Sequence, residues 1–267
     1  MSGTYVHGYR ERESERLADQ AGTLVELLHG DTSYPAGSTV LEAGCGVGAQ
    51  TVTLAARSPR ARFTSVDVSA ESVAAAGERL ERAGLRNVDL IQADVFALPF
   101  EPQSFDHLFV CFVLEHLPEP AAALERLATL VRPGGTVTVI EGDHGSAYFH
   151  PDSAAAQAAI DSLITLQAAG GGNALMGRQV QPLLTAAGYS DVTARPCTIY
   201  ADRTRPELVA GFTRNTFIAM VDLVRDDAIA AGLTTPADWR RGIDDLVRTA
   251  EDGGTFHYTF TKATAIN

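Results

Sequence analysis

Apolar and polar residues alternate along the first half of the chain with two different periods. Leu17, Ala21, Leu24, Val25 and Leu28 recur at helical spacing, which predicts an amphipathic helix over residues 9–29. Beyond it, short apolar runs predict five buried strands: Thr39–Ala43, Ala61–Val66, Val88–Gln92, Phe105–Val113 and Thr136–Ile140. Helices are predicted between several of them, at Gln50–Arg57, at Ser69–Arg82, and from Pro120 to the turn at Arg132-Pro133-Gly134-Gly135.

Strands that alternate with helices are typical of an α/β fold, a mostly parallel sheet with helices on both faces. We expect seven strands, the last of them antiparallel. Right-handed crossovers place the carboxyl ends of parallel strands at one edge of the sheet, where ligands bind. Eight polar residues follow strand ends and are expected to converge there: Glu42, Asp67, Asp94, Glu115, His116, Glu141, Asp143 and His144.

The second half of the chain is less regular. Helices are predicted at Ser153–Ala169 and Arg178–Ala187, and helical runs at Phe212–Ala230 and Trp239–Ala250; Asp191–Tyr200 and Thr255–Ala263 are predicted to form an antiparallel edge pair. A helical insert between two late strands is a natural lid. We therefore predict an N-terminal helical segment over the site (residues 1–37), a ligand-binding domain (residues 38–200 and 251–267) and a helical cap (residues 201–250).

Composition narrows the classes of partner. The chain has 267 residues and a formal net charge of −12, which disfavours a nucleic-acid substrate and an anionic membrane surface. Its three cysteines form no CxxC pair, so neither a metal site nor a disulfide framework is expected. The N-terminus is polar and no apolar run reaches the ~20 residues that span a bilayer. We expect a cytoplasmic protein that acts on a small molecule, with a homodimer as one option.

The strongest chemical signal is the run Glu42-Ala43-Gly44-Cys45-Gly46-Val47-Gly48, directly after the first predicted strand. Alternating glycines let the backbone turn tightly and approach a ligand closely. The spacing is GxGxG rather than the GxGxxG of dinucleotide sites, and Glu42 disfavours a phosphate and suits a cationic amino group. A glycine-rich turn without a ligand remains an alternative.

Two further carboxylates belong to the same predicted edge. Asp67 ends the second strand about 20 residues beyond the loop, where an acid accepts ribose hydroxyls; a helix cap before Ser69 is the alternative. Asp94 ends the third strand and is placed to accept from an adenine amino group, with a solvated loop acid as the alternative.

Four segments together resemble a known family. VLEAGCGVGAQT, SVDVS, QADVFALPFEPQSFDHLFVCFVLEHL and LVRPGGTVTVIEGD, spanning about residues 38 to 145, resemble class I S-adenosylmethionine-dependent methyltransferases. The similarity is greatest to the subset related to ubiquinone/menaquinone and sterol C-methyltransferases. The resemblance implies a Rossmann-like sheet, S-adenosylmethionine as cofactor, and methyl transfer to O, N or C of a small, largely apolar metabolite of secondary metabolism.

The resemblance also implies roles for individual residues. The backbone of Gly44, Cys45 and Gly46 would line the methionine part of the cofactor, and Glu42 would support the loop or reach the methionine amino group. Many relatives carry Asp at the position of Glu42. The implied cofactor set also includes Gly48 and Gln50, the ribose ligand Asp67, the adenine neighbours Val68, Asp94 and Val95, and the sulfonium neighbours Cys111 and Phe112.

Methyl transfer needs a general base only where the nucleophile must lose a proton. His144 and His116 are the candidates, because an imidazole titrates near neutral pH; for His116 a loop-capping role is the alternative. Further residues are predicted to contact substrate: Tyr9, Glu115, Glu141, Asp143, Tyr148, Arg178 and Phe217. Two other functions stay open, a non-catalytic S-adenosylmethionine-binding protein and an NAD(P)-dependent oxidoreductase on a similar sheet.

Overall fold

The computed structural model describes residues 22–267. Tyr9 and the first part of the predicted N-terminal helix lie outside the described residues, whereas residues 22–29 are helical and form α1. The strands are β1 Thr39–Ala43, β2 Arg62–Asp67, β3 Val88–Gln92, β4 Phe105–Cys111, β5 Val131–His150, β6 Ser190–Ala201 and β7 Thr255–Ile266. The longer helices are α2 Ala49–Arg57, α3 Ala70–Arg82, α4 Pro120–Ala128, α5 Ala154–Ala169, α6 Val180–Ala186 and α10 Pro236–Arg248.

Shorter helical segments complete the described chain. They are two 3₁₀ turns at Leu114–His116 and Met176–Gln179, a π-helix at Val209–Ile218, and the helices α7 Pro206–Leu208, α8 Ala219–Leu223 and α9 Arg225–Ala230.

The strands form one seven-stranded sheet in the order β3-β2-β1-β4-β5-β7-β6. β1 pairs in parallel with β2 and β4, β2 pairs in parallel with β3, and β4 with β5. β6 runs antiparallel to β7, because Ser190 contacts Ile266 whereas Thr193, further along β6, contacts Thr264. The predicted α/β fold with a mostly parallel sheet is confirmed.

The chain divides into two compact units. The first unit comprises residues 25–141, 176–196 and 261–267, and the second comprises residues 142–175 and 197–260 with residues 22–24. β1 and β4 lie in the middle of the first unit and read as near-continuous apolar runs, as strands covered on both faces do. The main core of the first unit includes Leu41, Val66, Leu108, Val110, Leu124, Leu127, Val137 and Val139. The predicted domain boundaries stay a prediction.

β5 is longer than the sequence pattern predicts. It continues from Ile140 to His150, through a stretch whose two glycines hide the strand periodicity. In the second unit, Tyr148 stacks on His257 of β7 with ring centroids 4.0 Å apart, and Phe149 stacks on Phe256 at 6.4 Å. Such cross-strand aromatic pairs stabilise strand pairing, and they depend on residues more than 100 positions apart.

The predicted helix Phe212–Ala230 is interrupted. Its first part is the π-helix Val209–Ile218, and the two short α-helices α8 and α9 follow. A π-helix brings residues five apart onto one face. Phe212 and Phe217 are five apart, both are buried, and both contact Phe256 of β7, with centroids at 6.2 and 4.7 Å. The wider helix thus places two large rings against one strand.

Candidate functional site

The glycine-rich loop joins β1 to α2 in the first unit. Gly44, Gly46 and Gly48 have φ values of 77°, 51° and 73°, in the left-handed region that L side chains rarely adopt. The amides of Gly44 and Cys45 both donate to the carbonyl of Val66 at the end of β2, at 2.8 and 2.9 Å. The loop is therefore folded back over the tip of the neighbouring strand, and glycine is required there by conformation.

The three glycines differ in the space beside them. A Cβ on Gly44 would lie 2.4 Å from Cγ2 of Val113, and one on Gly48 would lie 2.9 Å from Cβ of Ala76. A Cβ on Gly46 would meet no atom within 4 Å. Gly44 and Gly48 thus permit close packing inside the protein, whereas Gly46 exposes its backbone to open space, as a ligand cradle requires.

Asp67 ties the second strand to the loop. Its Oδ2 accepts a hydrogen bond from the amide of Gly46 at 2.8 Å, and its Oδ1 accepts one from the amide of Ser69 at 2.9 Å. The side chain is only partly buried. Each carboxylate oxygen has two lone pairs, so both oxygens keep a site for a further donor such as a hydroxyl. Asp67 therefore fits the predicted ribose site and also holds the turn that starts α3.

Glu42 lies beneath the loop and is 2% exposed. Its Oε2 accepts a hydrogen bond from Oγ of Ser65 at 2.6 Å. The pKa of Glu42 is raised to about 7, mainly by burial and to a smaller extent by the nearby charge of Asp67, while the hydrogen bond from Ser65 opposes this increase. Glu42 therefore sits near its titration point at neutral pH, and a cation bound nearby would favour its charged form.

Gln50 stands in the first turn of α2, just beyond the loop. Its Oε1 lies 2.6 Å from Nε2 of His29. His29 is buried in the first unit, and that burial lowers its pKa to about 4, so the imidazole is neutral at physiological pH. A neutral His29 that donates to Oε1 leaves the amide group of Gln50 to donate elsewhere.

The tips of β2 and β3 carry the residues predicted to hold adenine. Val68, directly after Asp67, is 56% exposed, and Phe96, two residues after Asp94, is 36% exposed, so each strand tip carries exposed apolar surface next to an acid. Asp94 is exposed and its Oδ1 accepts from the amide of Phe96 at 2.9 Å, whereas Val95 is buried. The exposed side chain of Val68 suits the flat face of an aromatic base, and the carboxylate of Asp94 suits an amino group on that base.

Several predicted residues come together at the end of β4. Cys111 is buried, and burial raises the pKa of its thiol well above the ordinary value, with further increases from Glu141, Glu42 and Glu115. Each of these acids is thus close enough to act on one sulfur atom. Glu115 also lies 3.6 Å from Nε2 of His116 within the 3₁₀ turn. The predicted convergence of the strand-end acids stays a prediction, which the common effect of Glu42, Glu115 and Glu141 on this thiol favours.

The second unit contains another group of predicted residues. His144 is buried, with its Nδ1 2.7 Å from the hydroxyl of Tyr258 and its ring edge-on to Phe217 at 6.2 Å. Asp143 is also buried, and Tyr148 is 60% exposed. Sequence reasoning missed Tyr258, which β7 supplies from more than 100 residues away. A Cβ on Gly142 would lie 2.5 Å from the Tyr258 hydroxyl, so glycine at that position admits the hydroxyl.

Arg178 lies elsewhere in the first unit, exposed in the 3₁₀ turn Met176–Gln179. Between residues 22 and 267 there is no group of three or more His, Cys, Asp or Glu residues that would hold a metal ion. The three cysteines are buried free thiols. Over the same residues no helix is both long and apolar enough to cross a membrane.

The sheet order and the glycine-rich loop define a protein with the class I methyltransferase fold. Residues 40–135 match the family model described as a methyltransferase domain. The predicted resemblance to class I S-adenosylmethionine-dependent methyltransferases is confirmed over this segment.

The chain is similar in sequence to two other proteins and in structure to a third. It is 31% identical over 217 residues to an uncharacterised 37.1 kDa protein in transposon TN4556 of Streptomyces fradiae, covering 79% of this chain and 58% of that protein. It is 32% identical over 106 residues to the demethylmenaquinone methyltransferase of Bacillus cytotoxicus, covering 39% and 45% of the two chains. The crystal structure of the (4+2)-cyclase SpnF aligns with a TM-score of 0.56 and 20% identity, over 96% of this chain and 80% of that one.

These similarities have a limited span. The chain covers 58% of the Streptomyces relative and 45% of the Bacillus enzyme. The likeness to SpnF shows a shared fold alone, in a protein that is named a cyclase. Activity, substrate and partners are therefore matters of proposal.

Proposed function

We propose that this protein binds S-adenosylmethionine at the glycine-rich loop and transfers its methyl group to O, N or C of a small, largely apolar metabolite. The observation that carries the proposal is Gly46, whose backbone faces open space while its amide is tied to Asp67 at 2.8 Å. A backbone without a side chain next to a partly exposed carboxylate fits a ligand that carries a ribose and a positive charge.

The residues of the first unit suit S-adenosylmethionine, a cofactor that carries no phosphate group. Asp67 retains acceptor capacity for the ribose hydroxyls, Val68 and Val95 with Asp94 suit the adenine, and Glu42 supplies negative charge below the loop. Gly44, Cys45, Gly48, Gln50, Cys111 and Phe112 complete the proposed cofactor set. A bound sulfonium supplies a methyl group that is already activated for displacement. The protein then has to bind, orient and exclude water.

His144 and His116 are the proposed general bases for an acceptor that must lose a proton. Two observations support them: His144 is hydrogen-bonded to the hydroxyl of Tyr258, and His116 lies 3.6 Å from the carboxylate of Glu115. A hydrogen bond to one ring nitrogen sets which tautomer the other nitrogen presents. We also propose residues 201–250 as a cap, and Tyr9, Glu115, Glu141, Asp143, Tyr148, Arg178 and Phe217 as substrate contacts.

The finer assignments rest on the sequence. The net charge of −12 favours a small-molecule substrate over nucleic acid, and the buried free cysteines fit a reducing, cytoplasmic compartment. A role in secondary metabolism and a homodimer are part of the same proposal.

Isothermal titration with S-adenosylmethionine and with S-adenosylhomocysteine tests cofactor binding, with NADH as the matched control. We expect both adenosyl ligands to bind and NADH to give no heat. Binding of NADH alone would favour an oxidoreductase, and binding of none of the three would refute the proposal.

Turnover is tested with methyl-labelled S-adenosylmethionine and a panel of phenols, amines, carboxylic acids and quinols. Appearance of S-adenosylhomocysteine together with a labelled acceptor is the expected result. Binding of S-adenosylmethionine without transfer to any acceptor, or conversion of an acceptor without methylation, would favour a non-transferase use of the same site.

A further inference from the structure

The turn after β4 has an unusual backbone. Phe112 has a φ of 59°, in the left-handed region, although it is not a glycine. The 3₁₀ turn Leu114–His116 follows at once, closed by bonds from His116 to Val113 and from Leu117 to Leu114. We refer to residues 112–117 as the β4 turn. The amides of Val113 and Leu114, at the start of this turn, have no acceptor within the turn itself, so their acceptors must come from another part of the chain.

Glu141 supplies those acceptors. This residue of β5 is fully buried, and its Oε1 accepts from the amide of Val113 at 3.0 Å and from that of Leu114 at 2.7 Å. One side-chain oxygen therefore satisfies two backbone donors of the β4 turn. Buried amides left without an acceptor are costly, so removal of this oxygen would release the turn.

The β4 turn in its place contacts the glycine-rich loop. The side chain of Val113 lies against Gly44, where a Cβ would come within 2.4 Å of Cγ2 and 3.0 Å of Cγ1. A shift of Val113 would therefore either collide with the loop or leave a gap beside Gly44. The chain of contacts runs from Glu141 through the Val113 amide to the loop that we propose as the cofactor site.

The second oxygen of Glu141 has a different environment. Oε2 is buried and has no hydrogen-bond partner among the described residues. Burial raises the pKa of Glu141 well above the ordinary glutamate value, the negative charge of Glu115 raises it further, and the backbone amides of the turn oppose both. A charged carboxylate with an unpartnered buried oxygen costs more free energy than a neutral carboxylic acid at the same place, although the acid's hydroxyl also lacks a partner there.

We propose that Glu141 is a positioning residue that holds the β4 turn against the glycine-rich loop, and that it does so as a neutral carboxylic acid. The expected effect of Glu141 on cofactor affinity rests on the proposed function. The protonation and the clamp on the turn are independent of it. A substrate contact by Glu141 stays a separate prediction.

The test compares Glu141→Gln, Glu141→Ala and the control Glu81→Gln, which alters an exposed glutamate on α3. Glutamine reproduces the accepting oxygen and the neutral charge, so Glu141→Gln is expected to bind S-adenosylmethionine within about twofold of the unchanged protein. Alanine removes the acceptor, and affinity is expected to fall by about tenfold or more. Amide hydrogen exchange at Val113 and Leu114 should accelerate in the alanine variant alone.

A pH series reports the protonation directly and needs no ligand. Because the folded pKa of Glu141 is raised, the folded chain keeps its proton longer than the unfolded chain does. The stability of the unchanged protein relative to Glu141→Gln should therefore fall as pH rises above the ordinary glutamate value of about 4.3. Glu81→Gln, at an exposed position on α3, is the matched control for this comparison.

Three results would overturn the inference. Glu141→Gln could lose affinity as severely as Glu141→Ala, which would mean that a charge is required. The relative stability of Glu141→Gln could be independent of pH, which would mean that Glu141 is charged when folded. The exchange of Val113 and Leu114 could be the same in all variants. If the unchanged protein binds no S-adenosylmethionine, the proposed function fails, and the exchange and pH series still decide the role of Glu141.

Discussion

At the scale of single residues, two acids at similar positions in the sequence differ in how deeply they are buried. Glu42 and Asp67 both end strands, but Glu42 is 2% exposed with a pKa of about 7, whereas Asp67 is only partly buried and accepts two backbone amides. The sequence predicts that both belong to one site, because parallel strands end at one edge. It does not predict their protonation, which depends on how completely the surrounding elements exclude water.

Glu42 should make cofactor binding depend on pH. A cation bound near the loop favours the charged form of Glu42, so the affinity for S-adenosylmethionine should increase as pH rises from 6 to 8 through its pKa of about 7. Titration calorimetry at several pH values measures this dependence. The variant Glu42→Gln should show a flatter profile, since it has no proton to lose there. Equal slopes in the two proteins would contradict this assignment.

Asp67 should contribute through its accepting oxygens. Asp67→Asn keeps the size and one acceptor, but it replaces the other oxygen by a donor that faces the amide of either Gly46 or Ser69 and can accept no ribose hydroxyl. We expect about a tenfold loss of affinity for S-adenosylhomocysteine, measured by calorimetry. Asp89→Asn, an exposed residue on β3, is the control. An unchanged affinity in Asp67→Asn would remove it from the ribose site.

His29 should make the fold sensitive to acid. Burial lowers the folded pKa of His29 to about 4, below the ordinary 6.5, so the unfolded chain takes up the proton first. This contribution to stability is present above pH 6.5 and is lost as pH falls toward 4. Between pH 7.5 and pH 5 it amounts to about 2 kcal/mol, from ~1.4 kcal/mol per pH unit. Urea unfolding should show a smaller loss over this range in His29→Leu, which cannot titrate; an equal loss would contradict the prediction.

At the scale of elements, local patterns predict the parallel strands well and the long-range elements poorly. β1 to β4 follow from short apolar runs, and the glycine-rich loop follows from its spacing. The extension of β5 is accompanied by ring contacts with β7, and the π-helix places Phe212 and Phe217, five residues apart, against Phe256 of that distant strand. For the same reason Tyr258, the partner of His144, has no local signal.

The loop offers a matched pair of substitutions that separate binding from packing. Gly46→Ala introduces a methyl group into open space at a φ of 51°, so it should lower the stability by only about 1 kcal/mol while weakening the binding of S-adenosylmethionine strongly. Gly48→Ala places its methyl group 2.9 Å from Cβ of Ala76 on α3, so it should cost about 2–3 kcal/mol of unfolding free energy.

Chemical denaturation and calorimetry on both variants distinguish the two effects. If Gly46→Ala binds the cofactor as tightly as the unchanged protein, the open space beside Gly46 is not part of the cofactor site. If Gly48→Ala is as stable as the unchanged protein, the contact between α2 and α3 adapts more easily than its geometry indicates.

At the scale of the whole molecule, the fold is established and one segment matches a methyltransferase domain, but the activity is not established. The family model covers residues 40–135, and the SpnF structure shows that the same fold serves a protein named for a different reaction. The acidic net charge of −12 narrows the partners without naming one. A ligand of the glycine-rich loop can be identified without knowing the reaction, because its binding raises the free energy of unfolding of the whole chain.

Thermal unfolding provides that measurement, because a ligand that binds only the folded chain stabilises it by mass action. At a free concentration of 100 times Kd, S-adenosylmethionine should add about 2.7 kcal/mol, which corresponds to an increase in Tm of about 5 °C for a chain of this size. S-adenosylhomocysteine should act similarly, and NADH at the same concentration should leave Tm unchanged. Gly46→Ala should lose most of the increase and Asp89→Asn none of it. An increase with NADH alone, or an equal increase in Gly46→Ala, would place the ligand somewhere other than the glycine-rich loop.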